Sequence, residues 1–89
     1  MKVIFHSYLI NVTKEETIEL DFTGTFRELL DLLCEKYGSC FESLILSDSK
    51  PSPKAVILIN NCFLNKEKGL ERIIHNTDVV TFIPIVAGG

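Results

Sequence analysis

DVVTFIPIVAGG, residues 78–89, joins an apolar strand to a pair of glycines at the last two positions of this 89-residue sequence. Residues 79–86 are apolar except for Thr81, and their β-branched side chains favour a strand. Pro84 has no amide N–H, so we expect it at a sheet edge or where the strand leaves the sheet. No charged residue follows Asp78. The pattern predicts a last strand that presents a slim, uncharged segment to a partner.

The clearest helix signal lies in residues 23–38, TGTFRELLDLLCEKYG. Apolar residues recur there at spacings of three and four, which places them on one helical face: Phe26, Leu29, Leu30, Leu33 and Tyr37. Thr25 and Glu28 form the S/T-x-x-E pattern of a capping box, which marks the start. Gly38 is suited to end the helix, because glycine tolerates positive φ.

Two segments before this helix alternate apolar and polar residues, which is typical of strands that expose one face to solvent. Residues 2–10 place Val3, Phe5 and Leu9 on one side, and residues 17–22 place Ile18, Leu20 and Phe22 on one side. We expect the two strands to form a hairpin.

The segments after the helix suggest a second group of strands. Residues 47–54, SDSKPSPK, carry two prolines and predict a surface loop. The apolar run 55–59 predicts a central strand covered on both faces. Asn60 and Asn61 predict a tight turn into a short strand at 62–64, since asparagine tolerates positive φ. Leu70, Ile73 and Ile74 suggest a helical or 3₁₀ turn that closes the core.

This order of elements predicts an α+β domain over residues 1–89, with one main helix packed on a mixed sheet. If Val80 and Phe82 face the helix, Ile83 faces outward, and Ile85 and Val86 have no sheet left to cover them. An uncovered apolar surface of this kind indicates a partner.

Composition and charge narrow the functional classes. The formal net charge is −3 and the nine Lys and Arg residues are scattered, so nucleic acid is not an expected partner. No apolar run reaches the roughly 20 residues that span a bilayer, and the first residues show no cleavable signal, so we expect a cytoplasmic protein without a membrane contact. Cys34, Cys40 and Cys62 lack metal or disulfide spacing, and we expect free, mostly buried thiols and no metal site.

The hairpin, helix, strand and final DVVTFIPIVAGG together resemble the ubiquitin-like β-grasp sulfur carriers of the MoaD/ThiS type. These include the molybdopterin synthase small subunit and the thiamine-biosynthesis sulfur carrier. The resemblance covers essentially the whole chain, and its most specific part is the last dozen residues. The molybdopterin-type ending has a second proline where this sequence has Ile85, and VAGG also suits the thiamine-type carrier.

The resemblance implies that the carboxylate of Gly89 is the reactive group of a flexible Gly88–Gly89 tail. A partner resembling the ubiquitin-activating enzyme would adenylate it with ATP, and a sulfur donor would convert it to a thiocarboxylate. The chain itself would bind no cofactor and would have no active site of its own. Apolar residues before the glycines would contact the partner: Ile83, Ile85, Val86 and Ala87.

The resemblance also implies a second partner, an enzyme that accepts the sulfur. The first choice is the large subunit of molybdopterin synthase, so that the chain would serve as the small subunit of a sulfurtransferase in molybdenum cofactor biosynthesis. Alternatives are a sulfur carrier for the thiamine thiazole or another metabolite, and a ubiquitin-like modifier joined to lysines through Gly89. A plain interaction module with an inert tail is a third class.

Overall fold

The computed structural model describes residues 1–7, 9–47, 50–65 and 68–85. The strands are β1 Lys2–Phe5, β2 Thr17–Glu19, β3 Gly24–Thr25, β4 Leu46–Ser47, β5 Lys50–Pro51, β6 Ala55–Ile59, β7 Cys62–Phe63, β8 Ile73–Ile74 and β9 Val79–Pro84. The helices are α1 Leu9–Thr13, α2 Phe26–Tyr37 and α3 Ser39–Ile45, with a 3₁₀ turn at Gly69–Glu71.

The main sheet has five strands in the order β2-β1-β9-β6-β7. Strand β9 runs parallel to β1 and antiparallel to β6, which confirms the predicted mixed sheet and the α+β class. The expected centre of the sheet was wrong, because the middle strand is β9 and not β6. Val56 and Leu58 of β6 are only half-buried, whereas their neighbours Ala55, Ile57 and Ile59 are buried. Strand β6 is therefore covered on one face only.

The hydrophobic core lies on one side of the main sheet, which we call the inner face. Phe82 of β9 is its hub, with its ring centroid 6.0 Å from Phe5, 6.2 Å from Phe26 and 6.0 Å from Phe41. All four rings are fully buried. Since each aromatic side chain removes about 150–250 Å² from water, this cluster joins two strands and two helices into one core.

Helix α2 begins and ends where the sequence predicts. The hydroxyl of Thr25 accepts a hydrogen bond from the Glu28 N–H at 3.2 Å, and Glu28 Oε1 accepts one from the Thr25 N–H at 2.9 Å, so the capping box is confirmed. These bonds lower the pKa of Glu28, because they favour the ionised carboxylate. Gly38 ends the helix with φ of +88°, a conformation that favours glycine.

The first strand is shorter than the alternation predicts. Ser7 adopts φ of +56°, and the chain then forms α1, so the expectation of a strand over residues 2–10 was wrong after Phe5. Leu9 is still buried, as expected, but it enters the core from a helix. Strands β1 and β2 do pair antiparallel, with Val3 opposite Ile18, although β2 ends at Glu19.

The proline segment contains a strand that was not expected. Lys50 and Pro51 form β5 and pair with β4, and Pro51 is buried. The Ser52 N–H donates to the Ile45 carbonyl at 2.7 Å, which makes Pro51 and Leu46 a non-hydrogen-bonded pair, so the ladder needs no N–H from Pro51. Helix α3, whose Phe41 and Ile45 are buried, was also missed.

The later turns agree more closely with the sequence. Asn60 and Asn61 have φ of +52° and +66°, and they connect β6 to β7 as expected. The 3₁₀ turn buries Leu70. Ile73 was expected to help close the core, but it is 51% exposed, because it belongs to strand β8 beside the buried Ile74.

Replacing Thr25 with alanine should lower the free energy of unfolding by about 1 kcal/mol, because the Glu28 N–H loses its acceptor. Urea denaturation followed by circular dichroism measures this loss. Thr23→Ala is the matched control, since Thr23 is exposed two positions earlier and should change stability by less than about 0.5 kcal/mol. Equal losses in both variants would contradict the capping contribution.

Candidate functional site

Strand β9 brings the chain to the end of the main sheet at Ile85. The Ile85 N–H donates to the Lys54 carbonyl at 2.7 Å, which is the last backbone hydrogen bond of this segment among the described residues. Ile85 is 46% exposed although it is a large apolar residue. The prediction that the apolar strand emerges uncovered at this position is confirmed for Ile85.

Pro84 lies at the last position of β9, opposite Ala55. Successive amides point to opposite sides of a strand, and Ile85 donates toward β6, so the nitrogen of Pro84 faces the side of β1. The last bond on that side runs from the His6 N–H to the Phe82 carbonyl at 3.1 Å, and the His6 carbonyl accepts from the Leu9 N–H instead. The missing N–H therefore leaves no ladder bond unmade, and the expectation of a proline where the strand leaves the sheet is confirmed.

The side of the main sheet opposite the helices carries an apolar strip, which we call the outer face. The register places its apolar residues in adjacent rows: Ile4, Val56, Leu58, Phe63, Val79 and Ile83. Five of them are half-buried, whereas Phe63 at the β7 edge is 79% exposed. Thr81 lies in the same strip, and its neighbours leave it only 6% exposed.

The residues predicted to form the tail and its apolar approach divide into two that the structure describes and four that it does not. Ile83 and Ile85 lie two residues apart at the end of β9, where Ile83 is half-buried and Ile85 exposed. Val86, Ala87, Gly88 and Gly89 lie outside the described residues. The predicted apolar approach to the tail is thus located, and the roles assigned to Gly88 and Gly89 stay predictions.

Sequence reasoning missed the extension of this surface beyond β9. Val56 and Leu58 were expected to be covered on both faces, because an uninterrupted apolar run does not reveal which face is exposed. Phe63 was placed in a short strand without a role. Its position directly after the Asn60–Asn61 turn was the available signal, since a two-residue hairpin fixes the register and hence the face of each side chain.

A polar network fixes the start of β9 at the other end of the strand. The side chain of Asn60 accepts from the Val79 N–H and donates to Asp78, both at 2.9 Å. The other oxygen of Asp78 accepts from the His75 N–H at 2.8 Å. These bonds, the one from the His75 backbone first, hold the pKa of Asp78 below its ordinary value. The β6–β7 turn and the β8–β9 turn are thereby tied together.

The three cysteines are free thiols in three different elements, α2, α3 and β7. Burial and the carboxylates of Glu42 and Asp31 raise the pKa of Cys34 to about 11, so its thiol stays protonated at neutral pH. Cys34 is half-buried and Cys40 and Cys62 are exposed, so the expectation of mostly buried thiols was wrong. Within residues 1–7, 9–47, 50–65 and 68–85, no three His, Cys, Asp or Glu residues lie close enough to hold a metal ion.

One shallow pocket lies on the helical side, away from Ile85. Its volume is about 220 Å³. It is lined by Arg27, Leu30, Asp31, Glu42, Leu46 and Leu70. Pockets that bind small molecules usually measure about 300–1,000 Å³, so this one is a poor candidate for a substrate site.

Comparison with known proteins identifies the family. Residues 3–89 match the sequence model of the ThiS family. The chain belongs to the ThiS family. A curated relative from Archaeoglobus fulgidus, named "Putative sulfur carrier protein", is 32% identical over 65 residues, which cover 73% of this chain and 74% of the relative. The resemblance stated from the sequence is confirmed.

Solved structures show the same fold at low sequence identity. A chain of the BexX/CysO complex from Amycolatopsis orientalis superposes with a TM-score of 0.82 at 22% identity, covering 99% of this chain and 98% of that one. The protein titled "Putative molybdopterin converting factor, subunit 1" from Pyrococcus furiosus superposes with a TM-score of 0.69 at 19% identity, covering 96% and 95%. This ThiS-family chain is therefore a ubiquitin-like β-grasp protein.

Among the described residues, no helix is both long enough and apolar enough to cross a membrane.

Replacing Asp78 with alanine should lower the free energy of unfolding by about 1 kcal/mol at neutral pH, because two hydrogen bonds to a carboxylate are lost. The folded-state pKa of Asp78 lies below its ordinary value of 3.8, so its contribution is present above that pH and is lost as the pH falls. The stability difference between wild type and Asp78→Ala should therefore shrink between about pH 5 and pH 2 in urea denaturation.

Asp21→Ala is the matched control for this pH series. Asp21 is exposed and its carboxylate makes no hydrogen bond with the described residues. A difference between wild type and Asp78→Ala that stays constant with pH would contradict a stabilising role of the ionised carboxylate.

Proposed function

We propose that this chain is a sulfur carrier whose Gly89 carboxylate is adenylated by a separate enzyme and then converted to a thiocarboxylate. The observation that supports this most is the extent of the family match, which runs to residue 89 and so includes Gly88 and Gly89. Strand β9 leads directly toward these residues through the exposed Ile85.

The chemistry requires activation because a terminal carboxylate is ionised at neutral pH and is a poor electrophile. In the first step a carboxylate oxygen of Gly89 attacks the α-phosphorus of ATP in the partner's site, and pyrophosphate leaves. In the second step hydrosulfide attacks the acyl carbon, AMP leaves with the carboxylate oxygen, and loss of the hydrosulfide proton gives the thiocarboxylate. The C–S bond of the thiocarboxylate is the one that is broken when the acceptor enzyme takes the sulfur, and hydrolysis at the acyl carbon restores the carboxylate.

The composition of residues 86–89 suits entry into a narrow site. Four residues in extended conformation reach about 13–14 Å, which is enough to leave the domain and enter a neighbouring protein. Gly88 and Gly89 have no Cβ, so the backbone can approach a nucleotide closely. The chain itself would bind no cofactor, because ATP is the substrate of the activating partner.

The apolar residues at the end of β9 would hold the partner in place. Ordering an extended tail costs about 1–2 kcal/mol per residue, so contacts on a fixed surface are needed to offset this loss. Ile83 and Ile85 belong to the ordered sheet and supply such contacts. Val86 and Ala87 would continue them into the partner.

The acceptor enzyme we propose is the large subunit of molybdopterin synthase. Support comes from the FIP sequence at Phe82–Pro84 and from the shared fold of a molybdopterin converting factor subunit of Pyrococcus furiosus. In that pair the chain would be the small, sulfur-donating subunit. A carrier that transfers sulfur to a thiazole precursor or to another metabolite would use the same thiocarboxylate. These pathways differ in the acceptor enzyme that takes the sulfur from the carrier.

Incubating the full-length chain with adenylyltransferases of its own organism, ATP and a sulfide source should yield a thiocarboxylate. Intact mass spectrometry should detect the replacement of one oxygen by sulfur, and pyrophosphate should be released. Deleting Gly89 should abolish both signals without unfolding the domain, because the buried core of the described residues is complete by Phe82. Adding one alanine after Gly89 is the matched control for tail length and should also abolish them.

Two outcomes would contradict the proposal. The absence of both a mass shift and pyrophosphate release with every such enzyme would exclude the carrier function. Gly-Gly remnants on lysines of other proteins, found without any thiocarboxylate, would assign the chain as a modifier instead.

A further inference from the structure

The two edges of the main sheet differ in their protection against pairing with another chain. Among the described residues, strand β2 forms one edge, and Glu19 within it and Glu16 directly before it are exposed carboxylates. Strand β7 forms the other edge, and neither of its residues is charged or proline. Charges and prolines are the usual means by which an edge strand avoids association. The edge at β7 is therefore suited to pairing, whereas the edge at β2 opposes it.

The hairpin of β6 and β7 determines which backbone groups β7 presents outward. The Leu64 N–H donates to the Ile57 carbonyl at 2.9 Å. Successive amides point to opposite sides of a strand, so the N–H and the C=O of Phe63 point away from β6. No described strand lies on that side. Phe63 thus presents one donor and one acceptor at the edge, and its side chain is 79% exposed on the outer face.

A residue that directs both backbone groups outward is complementary to itself. When two antiparallel strands place the same residue at a hydrogen-bonded position opposite itself, each N–H donates to the other carbonyl, and a two-fold axis relates the two copies. The Cα atoms of such a pair lie about 5.5 Å apart, so the two Phe63 rings would be in contact on the outer face. Pairing of β7 with the unlike edge β2 would be head-to-tail, and it would not form a closed dimer.

The residues around this edge allow two copies to meet without charge repulsion. Residues 55–65 carry no charge, although the protein has a net charge of −3. In a register centred on Phe63, Asn61 lies opposite Asn65 of the second copy, and both side chains are neutral amides. The stretch offers no charge that would attract a partner of opposite sign. Neutrality and self-complementarity together favour a second copy of this chain as the occupant.

We infer that β7 is a dimerisation edge, at which two copies of this chain pair antiparallel about Phe63 and join their main sheets into one sheet of ten strands. The two β9 strands would then be five strand spacings, or about 24 Å, apart and would run in opposite directions. The exposed Ile85 stays uncovered, because β9 lies two strand spacings from the new contact. The dimer is therefore compatible with the proposed function and does not depend on it.

The contact is small, so we expect a weak dimer. A phenylalanine side chain buries about 150–250 Å² at most, and two of them with their short strands stay below the roughly 1,200–2,000 Å² of stable interfaces. Sedimentation equilibrium over about 10 µM to 1 mM covers the affinities of such contacts. Wild type should show a monomer–dimer equilibrium within this range.

Variants of Phe63 test the contact at the two-fold axis. Phe63→Ala should raise the dissociation constant of the dimer about 10-fold or more, because both rings are lost from the centre of the interface. Phe63→Lys should abolish the dimer, since it places two ammonium groups opposite each other. Ile73→Ala is the matched control and should match wild type, because Ile73 is 51% exposed but lies in β8, outside the main sheet. Thermal unfolding confirms that each variant is folded.

Cross-linking of cysteines tests the register. With Phe63 opposite itself, Cys62 lies opposite Leu64 of the second copy, so the two Cys62 residues are diagonal neighbours about 7–8 Å apart. In Cys40→Ser, Cys62 is the exposed cysteine that remains among the described residues. A bismaleimide with a span of about 8 Å should link two chains of this variant. Cys62→Ser, which retains Cys40, should stay unlinked.

Three outcomes would overturn the inference. The first is a chain that stays monomeric up to about 1 mM. The second is a dimer that persists unchanged in both Phe63 variants, and the third is cross-linking of Cys62→Ser as efficient as that of Cys40→Ser. A dimer that requires Phe63 and links through Cys62 supports the inference whether or not a thiocarboxylate forms. Failure of the proposed function and failure of this inference are thus distinguished.

Discussion

The rest of this structure depends on the packing of Phe82. Its ring lies between Phe5 on the neighbouring parallel strand and the helical residues Phe26 and Phe41, so one side chain connects two strands and two helices. The strand that carries it also has hydrogen-bonded neighbours on both sides, β1 and β6. Because β9 is held in this way, its last residues leave the sheet in a fixed direction. The hub of the core and the approach to the tail thus belong to one continuous strand.

Local sequence signals predicted the elements whose ends are set by local chemistry. The capping box of Thr25 and Glu28 and the Asn60–Asn61 turn were found where expected, because a side chain or a positive φ decides each of them within a few residues. The two-residue period also predicted correctly which side chains of β9 face the core, because Val80 and Phe82 are buried there. The exposure of Ile85 was predicted from the end of the sheet at Pro84, and it is confirmed.

Features that depend on pairing between segments far apart in the sequence could not be predicted from local patterns. The run at 55–59 looks central by composition, yet β9 takes the centre because it pairs with the first strand, and no local pattern records that pairing. Pro51 was expected to exclude a ladder, but the register places it at a non-hydrogen-bonded position, where no N–H is needed. Of the candidate site, the apolar residues of β9 were predictable, whereas the extension to Phe63 needed the strand order.

The parallel pairing of β1 with β9 separates the two ends of the described chain. Lys2 lies beside Val79, so the beginning of β1 is six residues, or about 20 Å along the strand direction, from Ile85. The ammonium group of Met1 donates to the Leu20 carbonyl at 2.7 Å there, on the side of the molecule away from Lys54. An affinity tag, fluorophore or surface linker joined before Met1 would thus sit about 20 Å along the strand direction from Ile85, and the immobilised protein would keep that exposed side chain accessible to solution.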